Sequence, residues 1–139
     1  MRVIRRDAVD RCGPLGGIYT ALKTTRADVV MFLACDMPFI TADLLRALLS
    51  RFGQQGKALF VCSEGRAGFP LVLRREALAT IVRQIEAEKF ALHELTRTLR
   101  AKRFAPPVSK RAQLKNINTP EEWARAVADW NRDLVKLDL

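Results

Sequence analysis

An aspartate comes two residues after an apolar run that is typical of a buried strand. The run lies within Asp28 to Ala34 (DVVMFLA), and Asp36 follows it in the tetrapeptide CDMP. A carboxylate in that place must be solvated, paired or bound to a cation, because burying it alone is costly. Ligands bind at the carboxyl ends of strands in open α/β sheets, which makes Asp36 a candidate for a ligand-binding site. The competing interpretation is a turn made with Pro38, and the local evidence slightly favours it.

A glycine-rich turn precedes this strand. Residues 13–17 read GPLGG and lead into residues 18–22 (IYTAL), which indicate the start of a helix. Proline suits the first turn of a helix, and glycines let the backbone approach a ligand closely. A second ligand-facing segment is therefore expected here.

Strands and helices alternate along the chain, which predicts an α/β sandwich with a mainly parallel sheet. About three strands are evident, and Pro70 is expected at the beginning of its strand or at a sheet edge. The paired prolines Pro106 and Pro107 exclude a central strand near them. The predicted strands are 28–34, 57–62 and 69–73, and the predicted helices lie between Thr41 and Gly53, from Glu76 to Glu88, around Leu92, Leu95 and Leu99, and after Thr119.

The last of these helices has a distinct start. Thr119 can cap it, Pro120 suits its first turn, and Glu122 stands three residues after the cap. We expect its two tryptophans to pack against the protein rather than to stack on bases. Its predicted apolar face consists of Trp123, Val127, Trp130 and Leu134.

The composition is that of an ordinary globular protein. The 139 residues suit a single domain spanning 1–139, with 49% hydrophobic and 28% charged residues. No apolar stretch reaches the roughly 18 residues of a membrane helix, and the N-terminal residues do not have the pattern of a signal peptide. Three scattered cysteines and one histidine fit neither a disulfide framework nor a zinc site. These features predict a cytoplasmic protein.

The formal net charge is +9, which favours anionic partners. The basic residues are spread over many segments, without the interleaved aromatics of an RNA-binding surface. A small molecule bearing phosphate therefore fits better than a nucleic acid. Uncovered sheet edges make self-association a further expectation.

Four segments, in order along the chain, resemble those of the molybdenum cofactor guanylyltransferases, the MobA-like nucleotidyltransferases. The resemblance implies a three-layer α/β/α Rossmann-like nucleotidyltransferase fold of the GT-A type. It also implies transfer of GMP from GTP to molybdopterin, with release of pyrophosphate and a requirement for Mg²⁺. The segments are residues 12–22 (CGPLGGIYTAL), 32–40 (FLACDMPFI), 69–73 (FPLVL) and 116–122 (NINTPEE).

The resemblance assigns roles to individual residues. Asp36 would be the catalytic carboxylate that holds Mg²⁺ against the triphosphate, which suits a metal that prefers hard oxygen ligands. Asn116 and Asn118 would supply amide hydrogen bonds near the reacting phosphates, the alternative being a turn before the Thr119 cap. Pro70 would lie with them on the pterin side. The nucleotide-binding residues would be Asp7 (with Asp10 as a substitute), Gly13, Pro14, Leu15, Gly17 and Asp36.

One family segment is not found in this sequence. The family opens with a glycine-rich loop, GGxSxRMGxxK, that cradles the triphosphate, whereas Met1 to Asp7 resembles the end of the third strand of the fold. The resemblance therefore predicts an N-terminally truncated, partial domain and an incomplete catalyst, with the choice of GTP or CTP left open. Two alternatives are a non-catalytic module that binds molybdopterin, a molybdoenzyme or a cofactor-insertion protein, and a nucleotidyltransferase that uses CTP or a sugar phosphate.

Overall fold

The structure, a computed structural model, describes residues 6–63 and 65–137. Helices and strands alternate through most of this range, which confirms the predicted α/β class. In chain order the elements are α1 (Pro14–Thr24), β1 (Val29–Phe32), α2 (Ala42–Phe52), β2 (Ala58–Ser63), β3 (Arg66–Arg74), α3 (Ala77–Glu86), α4 (Leu92–Thr98), β4 (Lys102–Phe104), a 3-10 helix (Val108–Leu114) and α5 (Pro120–Leu137).

The strands of the described chain form one four-stranded sheet in the order β1-β3-β2-β4. As expected of a mainly parallel sheet, β1, β2 and β4 run in one direction. β3 runs against them, so both of its pairings are antiparallel, and only β2 and β4 pair in parallel. The reversal follows from chain length, because two residues separate β2 from β3 and a parallel crossover needs a dozen or more.

Pro70 lies inside the central strand β3, so the prediction that it begins a strand or lies at an edge is wrong. Two features make proline acceptable there. The pairing of β1 with β3 stops at Phe32 and Leu71, and the register between β2 and β3 shifts between Phe60 and Val61. Neither neighbouring strand therefore requires a backbone N–H from Pro70.

Apolar side chains cover both faces of the sheet, giving three layers. Leu59 and Phe60 are adjacent in β2 yet belong to different cores, because successive side chains of a strand point to opposite faces. Full burial of each such side chain contributes about 1.5–3 kcal/mol. One core contains Leu15, Leu22, Phe60, Leu71, Ile81 and Leu95 from α1, α3, α4 and the sheet. The other contains Leu44, Leu48, Phe52, Leu59, Val61 and Val72 from α2 and the sheet.

Helix α2 begins and ends where the sequence predicts. The Thr41 hydroxyl accepts a hydrogen bond from the Leu44 N–H at 3.4 Å, and Gly53 closes the helix with a φ of 67°. The same hydroxyl donates to Oε1 of Gln113 at 2.9 Å. This bond ties the start of α2, just beyond Asp36, to the end of the 3-10 helix.

Helix α5 leaves its predicted apolar face largely open. Trp123 and Trp130 are each 55% exposed and Val127 is 40% exposed. The expectation that the two tryptophans pack into the protein is wrong for most of their surface. Among the described residues, Pro38 and Phe39 line a shallow cavity with this face of the helix. Leu134, the fourth predicted member of the face, has a side chain outside the described part of the structure. No helix of the described residues is long and apolar enough to span a membrane.

Candidate active site

A cavity of about 430 Å³ lies beyond the carboxyl end of β1, and we call it the Asp36 cavity. Asp36 lines it together with Pro14, the first residue of α1, and Asn116, which follows the 3-10 helix. Arg66 and Phe69 line it from the first half of β3. The fold therefore brings all four segments singled out in the sequence to one place.

Two contacts hold Asp36 in a defined orientation. Its Oδ2 accepts a hydrogen bond from Nδ2 of Asn116 at 3.0 Å. Its backbone carbonyl accepts another from the N–H of Ile117 at 2.8 Å. Both donors lie 80 or more residues further along the chain. The segment that carries Asn116 therefore fixes the loop that follows β1.

The other carboxylate oxygen of Asp36 has no partner. Oδ1 is buried and accepts no hydrogen bond from the described residues. An unpaired buried carboxylate oxygen is costly, and a cation would relieve that cost. Mg²⁺ prefers hard oxygen ligands and is commonly held by one or two carboxylates together with substrate phosphates. The geometry of Asp36 fits such a metal.

The protein offers few further ligands for a metal. Within residues 6–63 and 65–137 there is no group of three or more His, Cys, Asp or Glu side chains that could hold an ion. A metal at Asp36 would therefore take most of its ligands from substrate phosphates and water, which is usual for Mg²⁺ in phosphoryl-transfer sites.

Arg66 is a site residue that the sequence analysis missed. It is exposed, begins β3 and contributes a guanidinium to the wall of the Asp36 cavity. Its position three residues before the start of the FPLVL segment is a weak signal in a chain with basic residues in many segments. A guanidinium there can bind phosphate oxygens through two parallel hydrogen bonds.

The glycine-rich turn contributes to the site mainly through its backbone conformation and the close packing that its glycines allow. Gly13 precedes α1 with a φ of 52°, a conformation that favours glycine, and Leu15 is fully buried in the core. A Cβ on Gly16 would lie 3.2 Å from the Val9 carbonyl oxygen and 3.4 Å from Oδ2 of Asp7. The absence of a side chain at Gly16 therefore lets residues 7–9 pack against the first turn of the helix.

Asp7 lies at the amino-terminal end of α1. Its carboxylate approaches Gly16 and Gly17, where a negative charge complements the helix dipole. Among the described residues, Asp7, Gly13 and Gly17 do not line the Asp36 cavity, whereas Pro14 does. The nucleotide-binding roles of these residues remain predictions.

Asn118 and Pro70 also lie outside the lining of the Asp36 cavity, as far as the described chain shows. The backbone N–H of Asn118 donates to Oε2 of Glu122 at 2.8 Å, as in a turn before a helix. Pro70 is buried, and its neighbour Phe69 reaches the cavity instead. Of the three residues predicted on the pterin side, Asn116 is the one that the fold brings to Asp36.

A second cavity, of about 800 Å³, adjoins the first. Leu114 and Asn116 line both cavities, so this short segment forms a shared wall. Arg111 and Lys115 bring two positive charges to the second cavity, which we call the basic cavity. Neither residue was singled out in the sequence.

The sequence model of the MobA-like NTP transferase domain matches residues 1–103. The chain belongs to this family. The resemblance to molybdenum cofactor guanylyltransferases is therefore confirmed. Residues 104–137, which include Asn116 and α5, lie beyond the part matched by the family model.

Relatives extend the similarity beyond residue 103. The chain is 31% identical over 118 residues to a probable molybdenum cofactor guanylyltransferase of Flavobacterium johnsoniae, covering 84% of this chain and 62% of the relative. It is 32% identical over 104 residues to a molybdenum cofactor guanylyltransferase of Acinetobacter baumannii, covering 73% and 50%. In these two matches the chain spans one half to just under two thirds of the relative's length.

Two solved structures confirm the fold. Molybdopterin-guanine dinucleotide biosynthesis protein A from Archaeoglobus fulgidus superposes with a TM-score of 0.68 at 22% identity, covering 86% of this chain and 64% of its own. A putative protein from Aquifex aeolicus gives 0.69, also at 22% identity, over 76% of this chain and 56% of its own. The expected Rossmann-like nucleotidyltransferase architecture is thus found in the described residues.

Proposed function

We propose that this chain carries the metal-binding and acceptor side of a molybdenum cofactor guanylyltransferase. The reaction would transfer GMP from GTP to molybdopterin and release pyrophosphate. The observation that carries the proposal is the buried, unpaired Oδ1 of Asp36, held in place by Asn116 in a cavity built from the family's own segments. The names of the relatives support the choice of substrates.

The described residues have separate tasks in this reaction. An oxygen of the molybdopterin phosphate attacks the α-phosphorus of GTP, the bond between the α-phosphorus and the bridging oxygen breaks, and pyrophosphate leaves. Oδ1 of Asp36 would be a ligand of Mg²⁺, which when bound neutralises charge on the triphosphate and on the leaving group. Asn116 orients the carboxylate, and Arg66 adds a positive charge to the same cavity.

We further propose that residues 1–139 belong to one partial nucleotidyltransferase domain and that the protein works in the cytoplasm. The two hydrophobic cores share one sheet, which supports a single domain. All three cysteines are free, which suits a reducing compartment. The glycine-rich loop that the resemblance assigns to the triphosphate is not among these residues, so a test of activity must supply it.

The test compares the chain as it stands with the same chain preceded by the N-terminal part of a relative, which carries the GGxSxRMGxxK loop and leads into the strand that ends near Asp7. We expect the extended chain to release pyrophosphate from GTP in the presence of molybdopterin and Mg²⁺. Asp36→Asn, which keeps the size but removes the charge, should lower the rate by about 10²–10³-fold, the usual loss when a preorganised electrostatic contact is removed. It should also weaken binding of Mn²⁺, followed by electron paramagnetic resonance with GTP present.

Asp43→Asn is the matched control. Asp43 is exposed on α2, pairs with Arg46 and does not line the Asp36 cavity, so the rate and the Mn²⁺ affinity should stay unchanged. A folded extended chain that transfers no nucleotide to molybdopterin would contradict the proposed function. Full activity in Asp36→Asn would contradict the role given to this carboxylate.

A further inference from the structure

Among the described residues, the charged side chains that line the basic cavity are all positive. Arg111 and Lys115 line it, and no carboxylate of the described residues does. Arg111 lies in the last turn of the 3-10 helix, and Lys115 is the residue that ends it. The remaining lining is apolar or uncharged, contributed mainly by Cys62, Ala105, Pro106 and Leu114.

The two cations are available to a ligand. No ion pair found between described residues involves Arg111 or Lys115; Arg46 pairs with Asp43, and Arg97 with Glu94. Lys115 influences Glu122 electrostatically without forming an ion pair with it. Two positive groups on a concave surface, neither of them in an ion pair with another described residue, attract an anion with more than one charge.

The position of the basic cavity links it to the Asp36 cavity. Asn116 lines both cavities while its Nδ2 donates to Oδ2 of Asp36. An anionic group bound by Arg111 and Lys115 therefore lies directly across this wall from the candidate metal carboxylate. An acceptor phosphate bound by these two cations would present an oxygen at the boundary between the two cavities.

We infer that the basic cavity binds the terminal phosphomonoester of the acceptor and selects it as a dianion. The inference rests on the proposed function and names the residues that would hold its second substrate. A phosphomonoester carries a charge of about −1.5 to −2 at neutral pH and three strong acceptor oxygens. Arg111 can bind two of these oxygens at once, and Lys115 supplies a compact charge for the third.

The same arrangement favours product release. Once the acceptor phosphate has formed a bond to GMP, it is a diphosphate diester group with one negative charge on each phosphorus. Its attraction to two cations is then weaker than that of the dianion. Arg111 and Lys115 thus select the substrate over the product as well as over a dephosphorylated acceptor.

Calorimetry with three pterin probes tests the inference on the full chain. The probes are the phosphomonoester of 6-hydroxymethylpterin, its methyl phosphodiester and the parent alcohol. The monoester should bind most tightly, the diester less tightly and the alcohol weakest. Arg111→Gln combined with Lys115→Gln should weaken binding of the monoester by about 10- to 100-fold, since hydrogen bonds to charged groups are lost.

The matched control is Lys89→Gln combined with Lys110→Gln. Lys110 lies in the same 3-10 helix and Lys89 in the turn before α4, and neither lines the basic cavity. The control changes the net charge by the same amount and should bind the monoester like the unmodified chain. Arg111→Lys combined with Lys115→Arg keeps both charges and should retain most of the affinity.

Two results would overturn the inference. One is an equal loss of affinity in the control, which would show a general effect of net charge. The other is unchanged monoester binding in the Arg111 and Lys115 double variant. The proposed function fails separately, through absence of nucleotidyl transfer in the extended chain while the monoester still binds at the basic cavity.

Discussion

At the scale of single residues, the two oxygens of the Asp36 carboxylate have different surroundings. Oδ2 receives the amide hydrogen of Asn116, whereas Oδ1 is buried without a partner. The sequence interpretation placed the amide hydrogen bonds of Asn116 near the reacting phosphates. In the structure its Nδ2 donates to the Asp36 carboxylate, so its first role is to position Asp36.

Replacement of Asn116 by alanine tests this positioning role. We expect the extended chain to lose about 3- to 10-fold in the rate of transfer, the worth of one hydrogen bond of ordinary strength. The KM for GTP should not change, and the free energy of unfolding should stay within about 0.5 kcal/mol because the side chain is exposed. Steady-state kinetics and urea denaturation provide these measurements.

Asn118→Ala is the comparison for that variant. Asn118 is not among the described residues that line the Asp36 cavity, and its backbone N–H remains available to Glu122 in the variant. Equal losses of rate in both variants would argue for direct contacts with substrate from both amides. A loss in Asn116→Ala that appears only in KM would exclude the positioning role.

The sequence singles out Asp36 because a carboxylate after an apolar strand has few physical explanations, and its role as a metal ligand stays a prediction. Arg66, Arg111 and Lys115 could not be predicted in this way. Their charges resemble those of many other basic residues, and only the folded chain shows which of them line a cavity. The sequence singles out Asp7 as well, and the structure places its carboxylate beside Gly16 and Gly17 at the start of α1.

At the scale of elements, the start of α5 forms a reciprocal cap. The Thr119 hydroxyl accepts from the Glu122 N–H at 3.2 Å, and the Glu122 carboxylate accepts from the Asn118 N–H at 2.8 Å. This second bond is the main reason that the pKa of Glu122 lies below its ordinary value of 4.5. The Thr119 N–H and the charges of Lys115 and Arg125 lower the pKa further.

The lowered pKa gives the cap a pH dependence of definite sign. Because the folded pKa is below the unfolded one, the stabilisation is fully present above pH 4.5 and is lost as the pH falls through the folded pKa. Glu122→Gln should therefore cost stability near neutral pH and little in strong acid. Urea denaturation and exchange of the Asn118 amide hydrogen, each followed as a function of pH, measure this difference.

Glu121→Gln is the control for the cap. It removes the same charge from the same first turn of α5 without altering a hydrogen bond to Asn118. The two variants should differ in the protection of the Asn118 amide above pH 4.5 and converge in acid. Identical behaviour of the two variants across the pH range would show that net charge, and not the cap, is responsible.

Element boundaries were predictable where a local cap determines them, as at Thr41, Gly53 and Thr119. The direction of the strands was harder to predict than these boundaries. The direction of β3 depends on the length of its connection to β2 and on the pairing of distant strands, neither of which is visible in an apolar pattern. β4 was missed because three residues are too few to show a period.

At the scale of the whole molecule, an apolar surface remains on the outside. Both tryptophans of the chain lie on α5 and are 55% exposed. In dilute solution we expect red-shifted tryptophan emission that iodide quenches readily. Emission that shifts to the blue and resists quenching as the protein concentration rises would contradict an open face and support the self-association expected from the sequence.

The contacts that fix Asp36 set an order of events during synthesis. Residue 36 leaves the ribosome well before Asn116, Ile117 and Gln113, which supply the bonds to Asp36 and Thr41. The sheet and α1 to α4 can form while those residues are still being made, since domains begin to fold from the end that emerges first. Until Asn116 arrives, the loop after β1 lacks its anchors, so a metal-binding geometry at Asp36 is among the last features that the growing chain acquires.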